Sequence, residues 1–248
     1  MNIKLFLLLI LLGLQNNCFA SEWVVPEKPN PQEILFEARD DVENKQYKTA
    51  LLKYIWIHEH SLSHRYSFFG VRNSFALDEW HKLGDSYPLA REKFHEYREK
   101  TKQQVLSKKD LLLNFSDFHA FSRILGKQGE SIELFLWIEK NVSFMSDATY
   151  AFAKYDLLKL GRFDILNRYI KPEFEYKKAE LIYKSSIEFN KGKIDESSES
   201  MFITEIQQLI TILHKNNRTK EAQEIISKAS LVITDPRFKM AMESILDD

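Results

Sequence analysis

The sequence predicts an all-α chain of stacked helix hairpins, and three observations carry that reading. One spacing recurs four times: Tyr47-x2-Ala50-x3-Tyr54, Tyr87-x2-Ala90-x3-Phe94, Phe163-x2-Leu166-x3-Ile170 and Thr219-x2-Ala222-x3-Ile226. Apolar residues recur with a period near 3.6, as in Leu51, Tyr54, Ile55 and Leu209, Ile212, Leu213, while period-two alternation is hard to find. Proline and glycine punctuate the pattern: beyond residue 33 only three prolines and six glycines remain.

The repeated spacing has a physical reading. A Gly or Asn stands just ahead of each motif (Asn44, Gly84, Gly161, Asn217) and suits the left-handed turn that closes a preceding helix. The small residue at Ala50, Ala90 or Ala222 lets the second helix approach the first. The residue four further on, Tyr54 or Phe94 for example, shares its face and fills the seam.

Residues 1–20 have the pattern of an export signal. Lys4 is the positive start, Leu5 to Leu14 an apolar run too short to span the roughly 30 Å of a bilayer, and Ala20 the small residue before a cut. An acylated Cys18 is the alternative, disfavoured by Gln15-Asn16-Asn17 ahead of it. Cleavage at Ser21 would remove the one cysteine, so an exported domain would be held by its core without disulfides. These features point to a bacterial periplasmic or secreted protein.

From Ser21 to Gln32, three prolines predict an extended arm. The helical domain is expected over 33–248, with helices near 32–43, 46–62, 70–84, 88–106, 109–125, 130–140, 147–160 and 163–170. One more opens at Pro172, and the last three lie near 201–215, 219–232 and 237–246. Pro88 suits a first helical turn with Asp85 or Ser86 as its cap, and Asp147 is the expected cap of the 147–160 helix. Asn190 to Ser200, polar and without aromatics, is the best interior linker.

This spacing resembles the tetratricopeptide repeat, a helix-turn-helix unit of 34 residues. Ala38, Tyr47, Ala50 and Tyr54 fall where that repeat carries small, aromatic, small and aromatic residues. Ala222, Ala229 and Asp235-Pro236 make the next best unit, and Trp80-x2-Leu83-Gly84-x2-Tyr87 matches its opening literally. The motif starts are unevenly spaced, so the likeness covers two good and two degenerate units. It implies a right-handed superhelical array with a binding face and leaves the ligand open. His58-Glu59-His60 through Gly70 to Leu77 and Trp80 is also similar to segments of uncharacterised bacterial helical-repeat proteins, a likeness that brings no activity.

Composition excludes several functions. Thirty-five basic and 36 acidic residues give a net charge of −1, which is no signature of nucleic-acid binding. There is no Gly-x-Ser-x-Gly elbow and no glycine-rich phosphate loop. No cofactor is expected, and no membrane segment in the mature chain. His58, His60 and His64 form the one dense histidine group, but position 62 is Leu, so the metalloprotease spacing fails and no metal site is expected. Mid-chain Phe115, Phe118, Phe121, Phe135 and Trp137 read as core. Trp56, Arg65, Arg72 and Trp80 are the candidate binding groove, because Trp and Arg dominate interaction hot spots. The expectation is an exported scaffold that binds a protein or peptide. An envelope hydrolase with a carboxylate pair, or a histidine-based metal binder, are the alternatives.

Overall fold

The computed structural model describes residues 23–246, so the signal-like segment and its expected cleavage site lie outside the described residues. Those residues form an all-α structure. Twelve helices of seven residues or more, with shorter 3₁₀ and π turns, succeed one another, and no strand occurs among the described residues. The chain divides into two compact units, the first ending at Glu96 and the second beginning at Tyr97.

In the first unit, the arm from Trp23 to Asn30 is irregular, and the Trp23 ring meets the Trp56 ring edge-on at 6.4 Å. Helix α1 (Pro31–Glu43) starts on a proline, with the Asn30 side chain accepting the Gln32 N–H at 3.0 Å. That supplies a partner for one of the free N–H groups of the first turn. Helix α2 (Tyr47–His64) packs back on α1. Ala38 and Ala50 are both fully buried, which is what a close crossing requires. Lys53 on α2 reaches Glu37 (3.1 Å) and Asp41 (2.8 Å) on α1.

After α2 the helix becomes irregular. A 3₁₀ turn (Tyr66–Phe68), the one-turn α3 (Phe69–Val71) and a π turn (Arg72–Ala76) lead into α4 (Leu77–Ser86). Helix α4 is tied to α1 by a bidentate pair, with Arg39 Nε and Nη2 donating to the Glu79 carboxylate at 2.8–3.2 Å. Helix α5 (Pro88–Leu106) starts after the single residue Tyr87. Asp85 and Ser86 therefore belong to α4 and do not cap α5; Asp85 instead accepts from Arg91 at 2.9 Å.

The four turn residues fall into two kinds. Gly161 (φ +66°) and Asn217 (φ 57°) adopt the left-handed conformation their positions suggested. At the first hairpin Lys45 (φ 61°) takes it, and the Asn44 side chain caps the Asp40 carbonyl at 2.9 Å. Gly84 stays helical. A Cβ there would lie 3.0 Å from Arg91 Cβ and 3.2 Å from Arg91 Cα, so this glycine serves the close approach of α4 and α5.

The second unit continues with α6 (Leu111–Ile124), α7 (Gln128–Asn141), α8 (Ser146–Lys159), α9 (Phe163–Tyr169), α10 (Pro172–Phe189), α11 (Glu196–Lys215), α12 (Thr219–Ser230) and α13 (Pro236–Leu246). Helix α8 begins one residue before Asp147, which sits in its first turn. Sequential helices pack on one another from α6 to α9 and again from α10 to α13, and α11 also packs on α9 and α13. One core runs through the unit: Phe115, Phe118 and Phe135 are fully buried beside Leu157, Leu166, Ile206, Leu213 and Ala222. Arg98 is buried within it, its guanidinium 4.5 Å from the Phe118 ring and bonded to Ser122 and Glu130, so α5, α6 and α7 share one charge-assisted node. The polar stretch 190–200 divides into a turn and the first residues of α11.

Candidate functional site

An apolar site lies in the second unit, between α10 and α11. Helix α10 turns Tyr176, Ala179 and Tyr183 toward the core, and α11 turns Phe202, Ile203 and Ile206 toward it. Tyr183 and Phe202 stack at 5.1 Å with their planes 28° apart. Beside this stack the two helices leave a cleft of about 280 Å³. Its walls are Ala179, Ile182, Tyr183, Met201 and Phe202, and its rim carries Glu175, Lys178, Ser186, Ser198 and Glu205. Ile182 and Met201 remain about half exposed.

Local sequence explains the opening. Lys191 (φ 55°) and Gly192 (φ 82°) turn the chain beyond α10. The Asp195 carboxylate then accepts from the Ser197 and Ser198 hydroxyls at the start of α11, and those bonds hold it below the usual carboxylate range. Burial pushes the Tyr183 phenol above its ordinary value, and Glu199 adds to the shift. The phenol therefore stays neutral in the cleft floor. Glu175 is bound to Lys154 of α8 at 2.7 Å.

The cleft is smaller than the roughly 300–1,000 Å³ of small-molecule sites. It suits one or two apolar side chains. Methionine at its mouth fits that use, because an unbranched thioether side chain repacks around differently shaped neighbours.

The residues singled out in the first unit are arranged differently. Trp80 is 1% exposed; its indole N–H donates to the Ala90 carbonyl at 3.1 Å and its ring meets Phe94 edge-on. Arg72 is also buried, its Nε donating to the His58 carbonyl at 2.8 Å. Trp56 is buried between the Trp23 edge and the His60 and His64 rings, with His64 stacked at 5.5 Å. Only Arg65 is exposed, on the extended residue that ends α2. The four thus do not line one open groove, because Arg72 and Trp80 use their donors on backbone carbonyls inside the unit. Among the repeat-packing residues Ala38, Tyr54, Ala50, Ala90, Phe94 and Ala222 are buried, while Tyr47 and Tyr87 stack at 6.4 Å at the hairpin edges.

His58 is buried against Trp80, while His60 and His64 lie on the Trp56 side of α2. Among the described residues no group of three or more His, Cys, Asp or Glu side chains is placed to hold a metal ion. No helix among them is long and apolar enough to cross a membrane.

A second polar cluster joins α6, α7 and α8. His119 Nδ1 lies 3.0 Å from Ser131 Oγ and 3.7 Å from Asp156 Oδ2. A nucleophilic triad needs serine and carboxylate on opposite ring nitrogens. Here both face the same nitrogen, and Ser131 is fully buried, so the cluster is a structural link.

An all-α array of hairpins with an apolar cleft between two helices is the class that fold and site define. Comparison with protein-family models, curated proteins and solved structures returns no match.

Proposed function

We propose that this chain is an exported helical-repeat scaffold of tetratricopeptide type that binds a protein partner in the cell envelope. The α10–α11 cleft is its anchoring site. The observation that carries the reading is the cleft itself: an apolar floor, two half-exposed apolar side chains at its mouth, and a size that admits side chains. Interfaces of this kind seat one or two large apolar anchors in a groove. Glu205 at the rim favours an anchor flanked by a basic residue. The export part rests on Lys4, the Leu5–Leu14 run and Ala20.

The test is a panel of labelled helical peptides, each presenting one Leu, Phe or Trp with or without an adjacent Lys. Binding is expected for the Lys-flanked peptides, and Met201→Glu should weaken it at least about tenfold by placing a charge at the apolar mouth. Peptides that bind Met201→Glu as well as the parent would remove the cleft from the proposal.

A hydrolase reading keeps one observation in its favour, since Glu175 and Glu205 line the same cleft. The Lys154 bond of Glu175 commits that carboxylate to an ion pair, which weighs toward binding.

A further inference from the structure

Helix α10 is apolar on two opposite sides. One side packs Tyr176, Ala179 and Tyr183 into the core. The other presents Phe174, Leu181, Ile182 and Phe189 to solvent, with exposures of 64%, 66%, 48% and 88%. At 3.6 residues per turn these four, together with Lys178 and Ser185, fall within an arc of about 100°. A stripe of this length and composition is costly to leave in water.

Its layout is symmetric. Phe174 lies seven residues before Leu181, and Phe189 lies seven residues after Ile182. The centre of symmetry falls between Leu181 and Ile182, near the middle of the helix. A second α10 laid antiparallel about that point would set Phe174 against Phe189 and Leu181 against Ile182, and repeat the same pairs by the two-fold. This is the self-complementarity that an isologous contact requires.

The charges fit the same register. Lys178 would face Ser185 of the copy, and the two Lys178 ammonium groups would be held about 10 Å apart along the axis. Lys177 and Glu188 lie on the same edge of the stripe, and a two-fold brings like edges together. Each Lys177 would then lie about 3 Å along the axis from both the copy's Glu188 and its Lys184; Glu188 sits nearer the stripe, and Lys184 is already paired with Glu180 at 2.7 Å. Lys177 is exposed and bound only to Glu173 within its own helix, at 3.5 Å, so it is available for that contact.

We infer that the outward face of α10 is a docking surface for a second copy of this chain, paired antiparallel about the Leu181–Ile182 midpoint. The helix is about 27 Å long and 10–12 Å wide, so the pair buries less than the roughly 1,600 Å² of a standard interface. The dimer is therefore weak and concentration-dependent. The stripe shares Ile182 and Lys178 with the cleft, and the inference does not rest on what the cleft binds.

Sedimentation velocity on the full purified chain, across a wide concentration range, tests it. The expected result is a monomer–dimer equilibrium that Leu181→Glu weakens at least tenfold. Lys177→Glu should also weaken it, and Lys177→Glu combined with Glu188→Lys should restore it. Because these side chains are exposed, circular dichroism should show the variants folded, and Met201→Glu should dimerise as the parent does. A chain that stays monomeric at every concentration overturns the inference. So does a dimer indifferent to Leu181→Glu, or a double charge swap that fails to rescue.

Discussion

The two units both tie helices together with charges, as Arg98–Glu130 and Lys154–Glu175 do in the second, and differ in where apolar side chains are left over. The first spends its charges across helices: Arg39 on Glu79, Lys53 on Glu37 and Asp41, Arg72 on the His58 carbonyl. Trp80 and Phe94 are buried in the contact they make with each other, while Phe36, Tyr66 and Phe75 stay outside on separate elements. The second unit has a longer apolar core, yet leaves Phe174, Leu181, Ile182, Phe189 and Met201 outside it. The lesson is that abundance of Trp and Arg does not locate a binding face. A binding face is where apolar side chains remain after the core has taken what it needs, and here that is α10.

The largest test of this contrast is Phe135→Ala. Phe135 is fully buried between Phe115 and Tyr169, so its removal should cost about 3–5 kcal/mol. Chemical denaturation followed by circular dichroism measures it, and a loss under 1 kcal/mol would mean the second core is loosely packed.

Ala50→Leu strikes the corresponding seam of the first unit. No space is left at that crossing, and overpacking should cost about 1–3 kcal/mol by the same measurement. An unchanged midpoint would show that α1 and α2 can separate freely.

Gly84→Ala is smaller. A helical Gly→Ala change ordinarily gains about 1 kcal/mol. Here the new methyl meets Arg91 backbone and Cβ atoms, so the expected outcome is a net loss. A gain in melting temperature would show that α4 and α5 can part enough to admit a methyl group.

The His119 cluster predicts a pH dependence confined to the second unit. Burial lowers the His119 pKa from its ordinary 6.5, Asp156 pulling it up and Arg123 pushing it further down; Ser131 faces the same ring nitrogen. The folded state therefore binds fewer protons than the unfolded chain in mild acid. Its contribution is fully present at neutral pH and is lost as pH falls below about 6.5 toward the folded-state pKa. His119→Gln should flatten that part of the stability profile, and a variant that keeps the full acid slope would assign it to other groups.

Much of the fold was legible in the sequence for stated reasons. Pro88, Pro172 and Pro236 each open a helix as expected, since a fixed φ and a missing N–H suit the first turn; Pro31, expected in the extended arm 21–32, opens α1 for the same reason, so the arm ends at Asn30. The alanines of the repeated spacing are buried because a small residue at that position serves one purpose. Gly84 was legible as important but not for its reason, because a left-handed turn and a close helix contact both ask for a missing side chain. The site was less legible. Nothing local to Trp80 or Arg72 says that their donors end on the Ala90 and His58 carbonyls. His119, Ser131 and Asp156 meet only through the packing of three helices. The stripe on α10 did leave a trace, two apolar rows half a turn apart on one helix, which a search for a single amphipathic face overlooks.

The π turn at Arg72–Ala76 carries one more consequence. A π turn closes its hydrogen bond one residue later than an α turn does, so it holds a residue that the helix does not need for its length. Phe75 within it is mostly exposed. Deleting Phe75 is expected to tighten the turn to α geometry while Trp80 keeps its buried setting, read as unchanged tryptophan emission. A red-shifted emission would contradict this. The first unit thus contains a place where its chain length can change by one without reorienting α4, a tolerance for indels in the middle of a helix rather than in a loop.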